Sequence, residues 1–294
     1  MPEGAPALNL ATRPQLLFLA FGDRDDLRLA PLAAVVNGTI GAIGLTQRGW
    51  KLLDSIYFQP GTKYAVYHDN IEAGEVTVVR GMWSGGPTPL FPLAGCKTLK
   101  PLASAKITFK QDVSDPYIEL VASTRRLAAR APYAGKLPTE AEVANFGRAF
   151  GHAVGRDAQM DTAALDSLDF HARLLVAGAT ADPTLLVSFI DPSSGNSGVG
   201  AGRTMHLFAL GERAGTGYAP SYRHAVTGNA RDVEFQRMVD HLDVTGDGVD
   251  ELVLEAWRYG AENESVVLGF ANGQWREAMR VKQSWCLDPA KTRK

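Results

Sequence analysis

The chain has 294 residues, of which 45% are hydrophobic and 21% charged, a balance typical of globular proteins. Its formal net charge of -2 and pI near 6.3 argue against a nucleic-acid-binding protein, which would carry a basic face. The length suits one large or two ordinary domains, and no apolar run approaches the ~18 residues needed to cross a bilayer.

Residues 1-135 are predicted to form a small N-terminal β-barrel-like module. Short runs rich in β-branched and aromatic residues alternate there with turn residues, a pattern typical of strands. The strands are expected at residues 16–21, 50–58, 62–67, 75–79, 107–109 and 117–121, with a turn over 68–74 and a loop over 83–89. Residues 120–129 also fit a helix. The hairpin opened by Pro60-Gly61 resembles a hairpin of bacterial SH3-like modules.

A helix is predicted to begin after Thr139. Thr139 and Glu142 have the spacing of a capping box, in which each side chain accepts a hydrogen bond from the backbone of the other residue. Apolar residues then recur at helical spacing, so one face should pack against a sheet. This face comprises Val143, Phe146, Phe150 and Val154. Gly147 and Gly151 are expected to weaken the helix.

Residues 136-294 are predicted to form a C-terminal antiparallel β domain. Strands are expected at residues 168–176, 185–190, 205–210, 222–226, 235–242, 251–257, 265–270 and 274–281. Asn272-Gly273 is a strong hairpin-turn signal between the last two. Short connections of this kind build a sandwich or a partial propeller. The fold class is therefore mainly β with a minor helical part.

The most distinctive stretch of the C-terminal domain is Asp243-Val-Thr-Gly-Asp-Gly-Val-Asp-Glu251. Calcium binds six to eight oxygen atoms, and alternate residues of a tightly curled loop can supply them. Gly248 permits the sharp turn that a Cβ would hinder. The predicted calcium ligands are Asp243, Thr245, Asp247, the carbonyl of Val249, and Glu251. Asp250 either binds instead or stays in solvent, and an Asp/Gly turn without an ion remains the alternative to a metal site.

This nonamer, followed by Leu252-Val-Leu, resembles the calcium loops of FG-GAP and VCBS repeats, the family that includes the propeller blades of integrin α-chains. The resemblance covers roughly residues 235 to 271 and occurs in a single copy. It implies that strands, rather than helices, flank the loop. It also implies that the calcium braces the fold and takes no part in catalysis.

Three other features of the sequence bear on possible sites. The Gly-rich stretch Gly195–Thr204 lacks the lysine and the spacing of a phosphate-binding loop and is predicted to be a surface loop. The basic cluster Arg125, Arg126 and Arg130 is expected to be a solvated helix face. Cys96 and Cys286 permit one disulfide or two buried thiols, and neither has the neighbours of a zinc site.

No signature of a metalloprotease, serine hydrolase or thiol enzyme is present, so the sequence assigns no catalytic residue. His224 and His241 lie near carboxylates in the sequence, and a structural hydrogen-bonding role is favoured for both. Some tryptophans are candidates for lining a ligand surface or for core packing, and exposure would discriminate between these roles. They are Trp83, Trp257, Trp275 and Trp285.

Two function classes follow from these features. The first is a calcium-stabilised, non-catalytic binding or adhesion module with a protein or carbohydrate ligand. The alternative is a secreted hydrolase of polysaccharide or peptidoglycan with a structural calcium. Because a weak calcium site suits the millimolar calcium outside the cytoplasm, the chain is expected to be periplasmic or extracellular, with its signal peptide already removed.

Overall fold

The structure is a computed structural model that describes residues 8–84, 100–110, 117–130, 132–191, 202–259, 261 and 263–283. These residues form fifteen β-strands and three α-helices, which confirms a mainly β fold with a minor helical part. Cys96, Cys286, Trp285 and most of the Gly195–Thr204 stretch lie outside the described residues.

The chain divides into two compact units. The first unit comprises Met1–Ala129, Leu242–Asp247 and Gln283–Lys294. The second unit comprises Arg130–His241 and Gly248–Lys282.

The first unit is built on a seven-stranded antiparallel sheet in the order β1-β7-β4-β5-β6-β2-β3. Its elements are β1 (Gln15–Asp23), β2 (Asp26–Val36), β3 (Thr39–Gly41), α1 (Gln47–Tyr57), β4 (Lys63–His68), β5 (Ile71–Arg80), β6 (Ala103–Phe109) and β7 (Tyr117–Ser123). Because β1 also pairs with β2, six of the strands close into a barrel-like ring, as the sequence predicted. Aromatic side chains fill the interior, with Phe18 packed against Tyr57, Phe58 and Tyr64.

The strand predicted over residues 50–58 is wrong, because Gln47–Tyr57 is the helix α1. Its aromatic and branched residues suggested a strand, but Trp50, Leu53 and Tyr57 follow helical spacing and are all buried. Thr46 caps the helix by accepting a hydrogen bond from the backbone of Gly49. The helix therefore presents one apolar face to the interior of the first unit.

Two other local predictions in the first unit also need correction. The turn predicted over residues 68–74 is shorter, since β5 already begins at Ile71. Asp69 and Asn70, both with positive φ, make the turn alone, as a two-residue hairpin loop requires. Residues 120–129 are not helical, since β7 runs to Ser123 and an irregular segment follows.

The second unit contains two four-stranded antiparallel meanders and two helices. Its elements are α2 (Glu140–Asp157), α3 (Thr162–Leu165), β8 (Asp169–Leu175), β9 (Thr184–Ile190), β10 (Arg203–Ala214), β11 (Gly217–Asn229), β12 (Phe235–Leu242), β13 (Glu251–Trp257), β14 (Glu264–Ala271) and β15 (Gln274–Lys282). One sheet has the order β11-β10-β9-β8 and the other β12-β13-β14-β15. Asn272 and Gly273, both with positive φ, form the predicted turn between β14 and β15.

The two sheets of the second unit share an apolar core. Leu186, Phe208 and Leu210 from the first sheet are buried together with Leu254 and Leu268 from the second. The opposite face of the first sheet is covered by α2, whose capping box between Thr139 and Glu142 is formed as predicted. The resulting arrangement is helix, sheet and sheet in three layers.

The buried face of α2 differs from the predicted face at Phe146 and at the glycines. Phe146 was expected to pack against the sheet but is 41% exposed, because the buried stripe turns away from it. Glycines occupy much of that stripe, and they allow the helix to approach the sheet closely. A Cβ on Gly147 would lie 2.6 Å from the Cβ of Ala172, and one on Gly151 would lie 2.4 Å from a ring carbon of Phe189.

Gly151→Ala is therefore expected to lower the free energy of unfolding by about 1–3 kcal/mol, because Phe189 is fully buried and its ring cannot yield. This loss should outweigh the gain of about 1 kcal/mol in helix propensity. Urea denaturation followed by circular dichroism measures it. Asn145→Ala, at an exposed position of the same helix, should instead stabilise by about 0.5 kcal/mol. Equal stabilisation by both substitutions would contradict the close approach.

Candidate metal centre

The predicted calcium loop connects two neighbouring strands of one sheet. It lies between the end of β12 at Leu242 and the start of β13 at Glu251, and neither flank is helical. Gly246 and Gly248 have φ values of 79° and 88°, a region that glycine adopts without strain. The local backbone thus curls where the sequence required a sharp turn.

The five predicted ligands occupy different environments in this loop. Asp243 Oδ1 accepts a hydrogen bond of 2.7 Å from the backbone N–H of Gly246, which holds the side chain over the turn. The oxygen set of carboxylates, a hydroxyl and a carbonyl fits the chemistry of calcium, and its assignment stays a prediction. Thr245 and Val249 are half-buried, Asp247 is exposed, and Glu251 is 6% exposed.

Asp250 does not stay in solvent, which corrects one of the two alternatives drawn from the sequence. Its carboxylate is fully buried and has a partner on each oxygen. Arg130 Nη2 lies 2.6 Å from Oδ1, and His241 Nδ1 lies 2.6 Å from Oδ2. Because both oxygens are already engaged, Asp250 is a poor candidate for a calcium ligand.

Arg130 also differs from its expected role as part of a solvated helix face. It lies outside any helix, and its side chain is only 19% exposed, whereas Arg125 and Arg126 are exposed. Sequence reasoning missed its partnership with Asp250 because the two residues are far apart in the chain. No periodicity or motif links such a pair.

Buried histidines form a second polar group, within the second unit. His206 Nε2 accepts from the backbone N–H of Gln236 at 2.9 Å, and Nδ1 donates to the carbonyl of Phe189 at 3.0 Å. Since an amide only donates and a carbonyl only accepts, this ring is neutral with its proton on Nδ1. Burial and the neighbouring His224 lower the pKa of His206 to about 3. His206 is thus held in one neutral tautomer.

The two histidines singled out in the sequence both make structural hydrogen bonds. His224 Nε2 donates to the carbonyl of Glu234 at 2.9 Å, and burial lowers its pKa. His241 is buried against Asp250. Neither observation supports a catalytic role.

Glu234 is the centre of an ion-pair network in the second unit. Its carboxylate lies 2.7 Å from Arg258 and 3.2 Å from Arg280, and it accepts a hydrogen bond from Gln236. Burial alone would raise the pKa of Glu234, but the Gln236 hydrogen bond and the Arg280 charge together lower it. Arg280 further pairs with Glu264 and Glu277. The network therefore keeps Glu234 ionised.

A third polar group surrounds the buried carboxylate of Glu212. It accepts hydrogen bonds from the hydroxyls of Thr184 and Ser221 and, at 2.8 Å, from the indole Nε1 of Trp275. Trp275 is 3% exposed, so it packs in the core and does not line a ligand surface. Trp83 and Trp257 are half-buried.

Comparison with known protein families, with curated proteins and with solved structures finds no match to this chain. Among the described residues, no helix has the length and apolar character needed to cross a membrane.

Proposed function

We propose that this protein is a calcium-stabilised, non-catalytic binding or adhesion module. The observation that carries the proposal is the loop of residues 243–251. It presents oxygen-bearing residues at alternate positions and turns on positive-φ glycines between two adjacent antiparallel strands. Oxygen ligands in a tightly curved loop are what calcium requires.

The sheets of the second unit support the resemblance to FG-GAP and VCBS repeats. Propeller blades are four-stranded antiparallel sheets, and β8–β11 and β12–β15 each have that form. The loop joins the first two strands of the second sheet. This agreement supports a calcium that braces the sheet, with a protein or carbohydrate ligand bound by the module outside the cytoplasm.

The titrating groups of the second unit favour a binding role over hydrolysis. A glycosidase acid is a carboxyl group with a raised pKa, paired with a second carboxylate across a cleft. The pKa values of Glu142, Asp166 and Glu234 are each lowered from the usual carboxyl range, the opposite of what a glycosidase acid needs. The histidines His206 and His224 are engaged in hydrogen bonds and stay neutral.

Calcium added to metal-free protein is expected to raise the melting temperature. With a dissociation constant of about 0.1–1 mM, 10 mM calcium stabilises by about 1.4–2.7 kcal/mol. That corresponds to a rise of about 3–10 °C, measurable by differential scanning calorimetry. Asp243→Ala and Asp247→Ala should each abolish the rise.

The control substitution is Asp169→Ala, which removes an exposed carboxylate at the start of β8 and should leave the calcium-dependent rise unchanged. Magnesium at the same concentration tests for ion specificity, since magnesium favours rigid octahedral sites. An identical melting temperature for the unaltered protein with and without calcium would refute the proposal.

A further inference from the structure

Arg130 contacts two separate parts of the second unit at once, the chain after β8 and the segment Gly248–Asp250. Nη1 donates to the carbonyl of Val176, and Nη2 donates to the carbonyl of Gly248 at 2.7 Å. Nη2 also lies 2.6 Å from Asp250 Oδ1. A planar guanidinium with several fixed donors can satisfy such a set, whereas a single ammonium cannot do so in the same geometry.

The segment Gly248–Asp250 is thereby held at both ends. Arg130 binds the carbonyl of Gly248, and Asp250 is bound through its side chain by Arg130 and His241. The backbone N–H of Asp250 also donates to the carbonyl of Ala177 at 2.8 Å. Residue 249, between these anchors, has little conformational freedom left.

The chain after β8 packs directly against this segment. Gly178 has a φ of +73°, and a Cβ on it would lie 2.4 Å from the carbonyl oxygen of Gly248 and 2.9 Å from Arg130 Nη2. Only glycine fits there without displacing the loop backbone or the guanidinium. Val176, Ala177 and Gly178 thus form one surface against which Arg130 and the segment are fixed.

We propose that Arg130 is a positioning residue for the calcium loop. Rigid placement of Gly248 and Asp250 sets the carbonyl of Val249 and the side chain of Glu251 before the ion arrives. Ordering these ligands in advance removes a conformational entropy loss from the binding step. The pairing with Arg130 also compensates the charge of Asp250 and keeps that carboxylate out of the ligand set. The inference rests on the proposed function, since it assumes that the loop binds calcium.

The test is the calcium dissociation constant of the full chain, measured by isothermal titration calorimetry. Arg130→Met and Arg130→Lys are both expected to weaken binding by about 10- to 100-fold, the effect usual for residues that orient metal ligands. Lysine retains the charge but loses the planar fork. If Arg130→Lys bound calcium with full affinity while Arg130→Met lost affinity, the charge alone would matter. That result would overturn the proposal that the planar guanidinium positions the loop.

Gly178→Ala tests the same inference without altering any charge, and it serves if the Arg130 variants do not fold. It should also weaken calcium binding by about 10-fold. Gly215→Ala is the matched control, because Gly215 shares a positive φ but nothing lies near the added Cβ. It should therefore leave the affinity unchanged. Arg148→Met, which removes a half-exposed arginine paired with Asp166, controls for loss of a surface cation.

The possible results separate the two proposals. A purely structural role for Arg130 would lower the melting temperature equally with and without calcium and would leave the dissociation constant unchanged, which overturns the inference alone. Tighter binding in Arg130→Met would overturn it as well, because repulsion of calcium by the guanidinium would then dominate. Absence of calcium binding in the unaltered protein would overturn the proposed function and this inference together.

Discussion

Asp54→Ala is expected to lower the free energy of unfolding of the first unit by about 3–5 kcal/mol. Asp54 lies on α1 and is fully buried. Its carboxylate accepts hydrogen bonds from the backbone N–H groups of Met82, Trp83 and Ser84, and from the Ser84 hydroxyl at 2.6 Å. Alanine would remove the acceptor of the buried Met82 N–H and of the partly buried donors of Trp83 and Ser84.

The contacts of Asp54 also explain a requirement for glycine at the end of β5. A Cβ on Gly81 would lie 2.8 Å from Asp54 Oδ1 and 2.8 Å from the carbonyl oxygen of Phe58. Through its hydrogen bonds the Asp54 carboxylate holds residues 82–84, beyond β5, directly against α1. Loss of Asp54 removes the link between the helix and that segment, so both should loosen together.

Urea denaturation followed by tryptophan fluorescence is the measurement, since Trp50 lies on the same helix as Asp54 and the backbone N–H of Trp83 donates to the Asp54 carboxylate. Asp54→Asn retains one acceptor oxygen and should cost roughly half as much. Asp26→Ala is the matched control, because Asp26 is 64% exposed and pairs with Arg28 at the surface. It should change stability by less than about 0.5 kcal/mol. A similarly small effect of Asp54→Ala would disprove a structural role for the carboxylate.

Acidification is expected to destabilise the second unit through His206. Burial and the adjacent His224 lower the pKa of His206 from 6.5 to about 3. Between these two pH values the unfolded chain binds a proton that the folded chain does not, so stability rises with pH. The stability that neutral His206 contributes is fully present above pH 6.5. It is lost progressively as the pH falls toward 3, and over this range the free energy of unfolding falls by about 1.4 kcal/mol per pH unit.

The comparison between the unaltered protein and His206→Gln isolates this contribution. His224 and Glu234, the titrating groups near His206, also have lowered pKa values and add their own pH dependence to both proteins. The difference between the two unfolding free energies should therefore shrink as the pH is lowered from 7 to 4.5. Parallel pH profiles for the two proteins would contradict the assignment to His206.

Much of the second unit could be predicted from the sequence because its signals are local. Strand alternation, the Asn272-Gly273 turn and the capping box between Thr139 and Glu142 depend on residues a few positions apart. The strand prediction for α1 is wrong because aromatic and branched composition favours a strand there, although the spacing of Trp50, Leu53 and Tyr57 is helical. In that case periodicity was more informative than composition.

The environment of the loop over residues 243–251 could be predicted only in part. The loop position between two strands follows from its own residues and from the patterns on either side. The burial of Asp250 by Arg130 and His241 does not, because a contact between residues 120 positions apart, from Arg130 to Asp250, depends on the completed fold. For the same reason the sequence does not reveal the hydrogen-bond partners of His206, which come from β9 and from β12.

The carboxylate of Glu212 has a consequence for how the second unit comes apart. Its donors come from the sheet that contains β9, β10 and β11, and also from Trp275 at the start of β15 in the other sheet. Separating one meander from the other would break the hydrogen bond that Trp275 donates to Glu212 and would expose the apolar faces that the two sheets bury together. Because that hydrogen bond and the apolar core span both layers, we expect the two sheets to unfold in a single transition.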